Sequence, residues 1–306
     1  DRRMLLLVAL AVGGLIPIQT AANSRLRASV GNKPVVPALI SFSSALFFAV
    51  VATSALRGNP MPQFSADVPW WGWLGGVMGV CFVLGNILLF PRLGALETVV
   101  LPILGQVVMG LLVDRFGLFG APAMPVSWMR VLGAAVVFAG IVVVLRSGRR
   151  PVLEGDAEGL ELAIFRVLGV LVGVCTAIQT SVNGYMGGIA GSSMHAGEIN
   201  LAVGAVLLLV AALVTSPGQL VRRPEPGPWW MWLGGLVGAT FVISGATLAP
   251  LLGTATTVIA FNAGTIAAGQ ALEARGAFGA RKNPLTATRL AGLVVIFLGV
   301  LAVRLL

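Results

Sequence analysis

Charge is what this chain has least of. Only 10% of its 306 residues are Asp, Glu, Lys or Arg, where a soluble domain carries about 25%. A globule of this size needs a polar coat, and so few charges would leave large apolar patches bare. Soluble enzymes are thereby excluded. Histidine occurs once and cysteine twice, too few for a zinc site or a disulfide framework. Cys81 and Cys175 also sit inside apolar runs rather than in loops. There is no Walker loop, HExxH or GxSxG, so ATP drive and hydrolysis lack the groups they require. No cofactor is expected.

What the chain has instead is apolar length. Hydrophobic residues make up 57% of it, and the mean hydropathy is +0.96. A bilayer core of about 30 Å takes about 20 helical residues. Blocks of that length fall at roughly 4–22, 35–56, 70–91, 96–114, 127–146, 163–185, 196–215, 229–250, 254–273 and 287–306. They are continuously apolar and lack the alternation of a barrel strand, so helices are the only spanning option. The expected fold is an all-α integral membrane protein with ten transmembrane helices. Trp70, Trp71, Trp73, Trp128, Trp229, Trp230 and Trp232 all fall near the start of a block. They read as interfacial anchors, half in lipid and half wet. The longest polar stretch, 147–161, contains Arg149, Arg150, Glu154, Asp156, Glu158 and Glu161 and reads as a linker.

The chain repeats itself. Pro69-Trp70-Trp71-Gly72-Trp73-Leu74-Gly75-Gly76 returns 159 residues on as Pro228-Trp229-Trp230-Met231-Trp232-Leu233-Gly234-Gly235. In the same register Pro91 pairs with Pro250, Gly94 with Gly253, Gly105 with Gly264, Asp114 with Glu273 and Arg130 with Arg289. Upstream, IQTAAN at 18–23 returns as IQTSVN at 178–183. This is a duplication, with one repeat over 1–146, a linker over 147–161 and a second repeat over 162–306. Five spans per repeat is an odd number, so the second repeat must lie upside down. The result is a pair of inverted-topology repeats about a pseudo-two-fold axis in the membrane plane. Halves alike in sequence but opposite in orientation can exchange conformations, as an alternating-access carrier does. The first helix resembles a signal peptide in its Arg2-Arg3 and small residues, but the same element recurs in mid-chain, where no signal peptide could be.

The net charge of +9 lies between apolar blocks rather than along one face, so no nucleic-acid partner is expected. Arg2, Arg3, Arg57, Arg115, Arg130 and Arg304 fall on the side of the N-terminus, and the other fourteen of the 20 basic residues fall on the opposite side. The positive-inside rule then places both termini outside the cytoplasm and the linker within it.

The PWWxWLGG segment, the Pro-x-Leu-Gly at 91–94 and 250–253, and the run GQVVMGLLVDRFGLFG at 105–120 resemble a branch of the drug/metabolite transporter superfamily. That branch consists of five-helix bacterial inner-membrane proteins found as single, paired or fused units. The resemblance covers nearly the whole chain, in the fused form. The second copy departs from the first at Thr265, opposite Gln106, and at Glu273, opposite Asp114. The resemblance implies a small-molecule carrier of the bacterial inner membrane. Carriers of the superfamily usually have cytoplasmic termini, unlike the charge count here, but an antiparallel family can fuse in either order.

Polar groups inside a span are costly and need a reason. Gln19 and Asn23 are spaced i, i+4, as are Gln179 and Asn183, so each pair shares a helix face. Amides donate and accept without net charge, which suits a polar substrate as well as interhelical hydrogen bonding. Gln106, Asn262 and Gln270, on the fourth span of each half, are further candidates. Glu198 begins the seventh span beside His195 and Asn200, and its counterpart is Leu39; Glu97 begins the fourth span opposite Thr256. A carboxylate present in one half only fits a proton- or cation-coupling group, and interfacial solvation would also accommodate it. Asp114 and Glu273 end spans near Arg115 and Arg275 and read as solvated helix ends. Small-xxx-small spacing at Gly72/Gly76, Gly75/Gly79, Gly169/Gly173 and Gly234/Gly238 predicts close helix contacts.

The expected function is secondary transport of a small polar or cationic solute, by a monomer built on an internal pseudo-two-fold. A membrane-embedded enzyme, a lipid scramblase and a non-transporting partner subunit are the alternatives. The orientation is open to direct measurement. Alkaline phosphatase fused after Leu306 is expected to be active, and a fluorescent protein fused there to be dark; the reverse pattern would invert the topology.

Overall fold

The computed structural model describes residues 1–147, 156, 158–252 and 254–306. Arg149, Arg150 and Glu154 of the expected linker, and Gly253, the expected counterpart of Gly94, lie outside the described residues. The helices are α1 (Arg2–Ser29), α2 (Val35–Arg57), α3 (Leu74–Phe116), α4 (Trp128–Arg146), α5 (Gly159–Ala190), α6 (Ser193–Thr215), the one-turn α7 (Pro217–Val221), α8 (Gly234–Leu252), α9 (Thr254–Arg275) and α10 (Ala287–Leu305). Short 3-10 turns, Trp70–Trp73 and Trp229–Trp232, lead into α3 and α8. Among the described residues there is no strand, and seven helices are long and apolar enough to cross a membrane.

One of those seven is too long for a single crossing. Helix α3 has 43 residues, about 65 Å at 1.5 Å per residue, twice the apolar thickness of a bilayer. Its backbone leaves helical geometry at Gly94, with φ 85° and ψ 172°, a conformation that only glycine adopts without strain. The expected third and fourth spans, 70–91 and 96–114, are therefore two limbs of one broken helix. The break falls at neither proline, since Pro91 and Pro102 both stay inside helical segments. With α8 and α9 the crossings number ten.

A break at a buried turn leaves backbone N–H groups without intrahelical partners. Here the second repeat supplies one. The Leu96 N–H donates to Glu273 Oε1 at 2.9 Å, so a carboxylate near the end of α9 caps the second limb of α3. Its other oxygen, Oε2, lies 3.0 Å from Arg289 Nη1 of α10, and both side chains are buried, at 3% and 5% exposure. The Asn283 side-chain oxygen accepts from both terminal guanidinium nitrogens of Arg289, at 3.0 and 3.2 Å. In the first repeat Asp114 Oδ2 meets Arg130 Nη2 at 2.5 Å. The expectation of solvated helix ends beside Arg115 and Arg275 is thus corrected. Each carboxylate pairs with the arginine of the following helix, and the second pair is buried because it also has a helix terminus to cap.

Inversion is visible in the packing of counterpart helices. Helices α4 and α10 correspond in the repeat and lie against each other. A Cβ on Gly133 would stand 2.9 Å from Val303 N, one on Gly140 2.7 Å from Ile296 N, and one on Gly292 3.1 Å from Gly140 O. As numbers rise along α4 they fall along α10, so the counterparts run antiparallel. Helix α2 meets α6 in the same sense, with Phe42 against Gly204. Two of the closest crossings form a symmetric pair. Gly13 of α1 meets the Phe261 carbonyl of α9, and Gly173 of α5 meets the Pro102 carbonyl of α3. Neither glycine has room for a Cβ, so close backbone approach sets these crossings.

The tryptophans divide into two sets. Trp70, Trp128 and Trp229 are at least three-quarters exposed, as anchors are. Trp71 and Trp230 are half-buried instead. Trp71 packs edge-on against Phe119 at 5.7 Å, and Trp230 against Phe278 at 5.2 Å. Both phenylalanines have positive φ, 54° and 53°, a strained conformation for a non-glycine residue, and the indole holds each in place.

The buried carboxylate is expected to dominate stability. Glu273→Ala strands a guanidinium and a helix terminus, and thermal unfolding in detergent should register a loss of about 3–5 kcal/mol. Adding Arg289→Leu should recover most of that loss. Equal damage from the single and double variants would show that the pairing is not what matters.

Candidate functional site

Two polar clusters, related by the internal two-fold, lie where α1 faces α8 and where α5 faces α3. In the first, Asn23 Nδ2 donates to Ser41 Oγ of α2 at 3.3 Å. Asn23 and Gln19 lie under the glycine face of α8: a Cβ on Gly238 would stand 3.3 Å from Gln19 Nε2, and one on Gly234 would overlap Asn23 Oδ1. In the second, Gln179 Nε2 and Asn183 Nδ2 both donate to Asn200 Oδ1 of α6, at 3.0 and 3.2 Å. The glycine face is now that of α3. A Cβ on Gly79 would stand 2.9 Å from Gln179 Nε2, and one on Gly75 would stand 2.5 Å from Asn183 Oδ1. The repeated WLGG segment therefore supplies a surface without side chains, against which amides of the other repeat can lie.

The clusters differ in access. Gln19 and Asn23 are buried, and Thr20 beside them is 4% exposed. Phe90 and Ala95 of α3 and Leu272 of α9 pack over this part of α1. Gln179 and Asn183 are only half-buried, and Thr180, Gly184 and Gly188 continue along α5 as an exposed stripe. A Cβ on Gly184 or Gly188 would meet nothing within 4 Å. One cluster of the two-fold pair is buried while its counterpart borders an exposed surface.

Glu198 lies on a different face of α6, toward α2. It is 5% exposed, and its Oε1 is buried without a hydrogen-bond partner. The Thr53 hydroxyl of α2, which donates to the Ala49 carbonyl at 2.8 Å, lies beside the carboxyl. One turn earlier the His195 ring is held at both nitrogens, Nδ1 by Ser192 Oγ at 2.7 Å and Nε2 by Asn59 O at 2.8 Å. Glu97 has a different setting. Arg166 of α5 donates to its Oε1 from Nε at 3.2 Å and from Nη2 at 2.7 Å, so this carboxylate is neutralised by an ion pair between the repeats.

The other candidates do not join either cluster. Gln106 and Asn262 are half-buried on α3 and α9. Gln270 is buried, with neither amide atom hydrogen-bonded among the described residues. Three polar residues complete what the sequence left unassigned. Ser41 and Asn200 are repeat counterparts, and Asn86 is 6% exposed with its Oδ1 unpartnered. The signal for Ser41 and Asn200 was present, since both are polar at corresponding positions of the second span in each repeat. Cys81 and Cys175 are free, and no group of three metal-ligating side chains occurs among the described residues.

No curated protein sequence matches the chain. Among 21 chains of solved structures that match, one described only as "Crystal structure of protein" aligns over 98% of this chain and 95% of its own length, with a TM-score of 0.56 at 16% identity. At that identity the likeness shows the fold. A family model of drug/metabolite transporters, described as "Putative inner membrane exporter, YdcZ", matches twice, over residues 4–143 and 164–302, one match per repeat. The chain belongs to that family: it is a multi-pass inner-membrane protein of the transporter class, with both family units fused in one polypeptide.

Proposed function

We infer that the chain is a secondary carrier that moves a small polar or cationic solute by alternating access between its two repeats. The observation that carries this reading is the pair of two-fold-related amide clusters, one sealed and one open. A carrier of this architecture needs a site that the two halves can offer in turn, and amides backed by bare glycine surfaces meet that need at both ends. In this conformation access is from the side of the N-terminus, which the Lys and Arg count assigns to the outside. Gln179, Asn183 and Asn200 contact the solute in this state, and Gln19, Asn23 and Ser41 take their place in the exchanged state. Each chain holds both halves, so a monomer suffices.

Glu198 is the coupling residue of the pair first considered. A carboxyl with an unpartnered oxygen can take up and release a proton, whereas Glu97 is committed to Arg166. Removing or adding a charge on the α2–α6 contact would then bias which end is open.

A thermal-shift screen of purified protein against polar metabolites and quaternary cations identifies a binder by raised apparent stability. With that binder, Asn200→Ala should weaken binding about tenfold, the cost of one lost hydrogen bond at a buried polar site. In proteoliposomes Glu198→Gln should keep flux and lose its pH dependence, and Glu97→Gln should keep the pH dependence. Unchanged flux after combined Gln179→Ala, Asn183→Ala and Asn200→Ala would remove the amide cluster from the pathway. Absence of flux from the purified protein alone would overturn the carrier reading.

A further inference from the structure

The two ion pairs that close α4 and α10 are related by the internal two-fold but are not balanced alike. In the second repeat one carboxylate, Glu273, faces one guanidinium, Arg289, and the Asn283 oxygen accepts from both of its terminal nitrogens, which leaves only the Nε without a partner among the described residues. In the first repeat Asp114 faces two guanidiniums. Arg130 bonds it directly, and Arg304, at the end of α10, is within electrostatic reach of both. The repeat counterpart of Arg304 is Leu145, and that of Asn283 is Met124, so the Glu273 corner lacks the extra charge and the Asp114 corner lacks the amide acceptor.

The excess is also visible atom by atom. Arg130 Nε donates to Val303 O at 3.0 Å and Nη2 to Asp114. Its Nη1 and the Nε of Arg304 are buried without a partner. A guanidinium cannot shed its charge, and a buried, unmatched one is costly. At the same connection an open hollow of about 430 Å³ is lined by Arg115, Ala123, Met124, Pro125 and Val126. Trp128, 86% exposed, marks this level as the headgroup zone.

We propose that the base of α4 and α10 is a binding site for a phosphate-bearing anion, held by Arg130 and Arg304 with Arg115 at its mouth. Phosphate oxygens accept from several guanidinium N–H groups at once, which is the deficit this corner shows. At headgroup depth an anionic phospholipid is the source of such a group at hand; free phosphate offers the same chemistry. The site is separate from the amide clusters and is independent of the transport reading.

The test uses the full chain, purified in detergent, with phosphatidylglycerol, phosphatidylcholine or inorganic phosphate added, read by thermal shift and by native mass spectrometry. Phosphatidylglycerol is expected to raise the apparent Tm and to remain bound, and Arg304→Gln and Arg304→Leu to weaken binding at least about tenfold. Arg223→Gln, an exposed arginine elsewhere, should leave binding unchanged. A shift from inorganic phosphate equal to that from the lipid would assign the site to a soluble anion. Retention of full binding in both Arg304 variants, or no shift with any phosphate, would overturn the proposal. Arg304→Leu reproduces Leu145, the residue that the first repeat carries at the corresponding position, so it is expected to fold.

Discussion

One carboxylate carries the geometry of this molecule. A helix that crosses, breaks and crosses back exposes backbone donors at the break, and where the break is buried in protein those donors need partners. Glu273 does so from the other repeat, at the Leu96 N–H, while holding Arg289 of α10. The same side chain thus fixes the break at Gly94, the seat of α9 and the approach of α10. Its charge is tolerable because it has two partners on opposite sides, a helix terminus and a guanidinium. Neither partner alone would offset the loss of hydration.

Around that point the two repeats are held by the absence of side chains. Gly13, Gly105, Gly173 and Gly264 let one backbone touch another, where lipid offers no hydrophobic drive to bring helices together. The same device serves the candidate site, because the glycines of α3 and α8 are also the surface beneath the amides. Under the proposed alternating access, stability and access are coupled: the contacts that hold α1 to α8 are the ones that would have to loosen for its cluster to open.

Much of this was legible in the chain itself. The ten crossings follow from apolar length, the inversion from an odd number of spans per repeat, and the facing of Gln179 and Asn183 from their i, i+4 spacing. What was not legible has physical causes. A backbone N–H leaves no mark in a sequence, so the partner of Glu273 at Leu96 could not be read from either residue. The break at Gly94 was obscured by Pro91 and Pro102, which look like stronger breakers but fit within the limbs. Trp71 and Trp230 looked like five other interfacial tryptophans until their stacking on Phe119 and Phe278 was seen.

The antiparallel contact of α4 with α10 has a consequence for ancestry. A helix that packs against its own counterpart in the opposite sense needs no second gene. A single five-helix polypeptide inserted half one way and half the other would build the same seam from two copies. Such a polypeptide must tolerate every residue on both sides of the membrane. Fusion lifts that restriction, and Glu198 opposite Leu39, like Arg304 opposite Leu145, is a difference that one polypeptide inserted both ways could not keep.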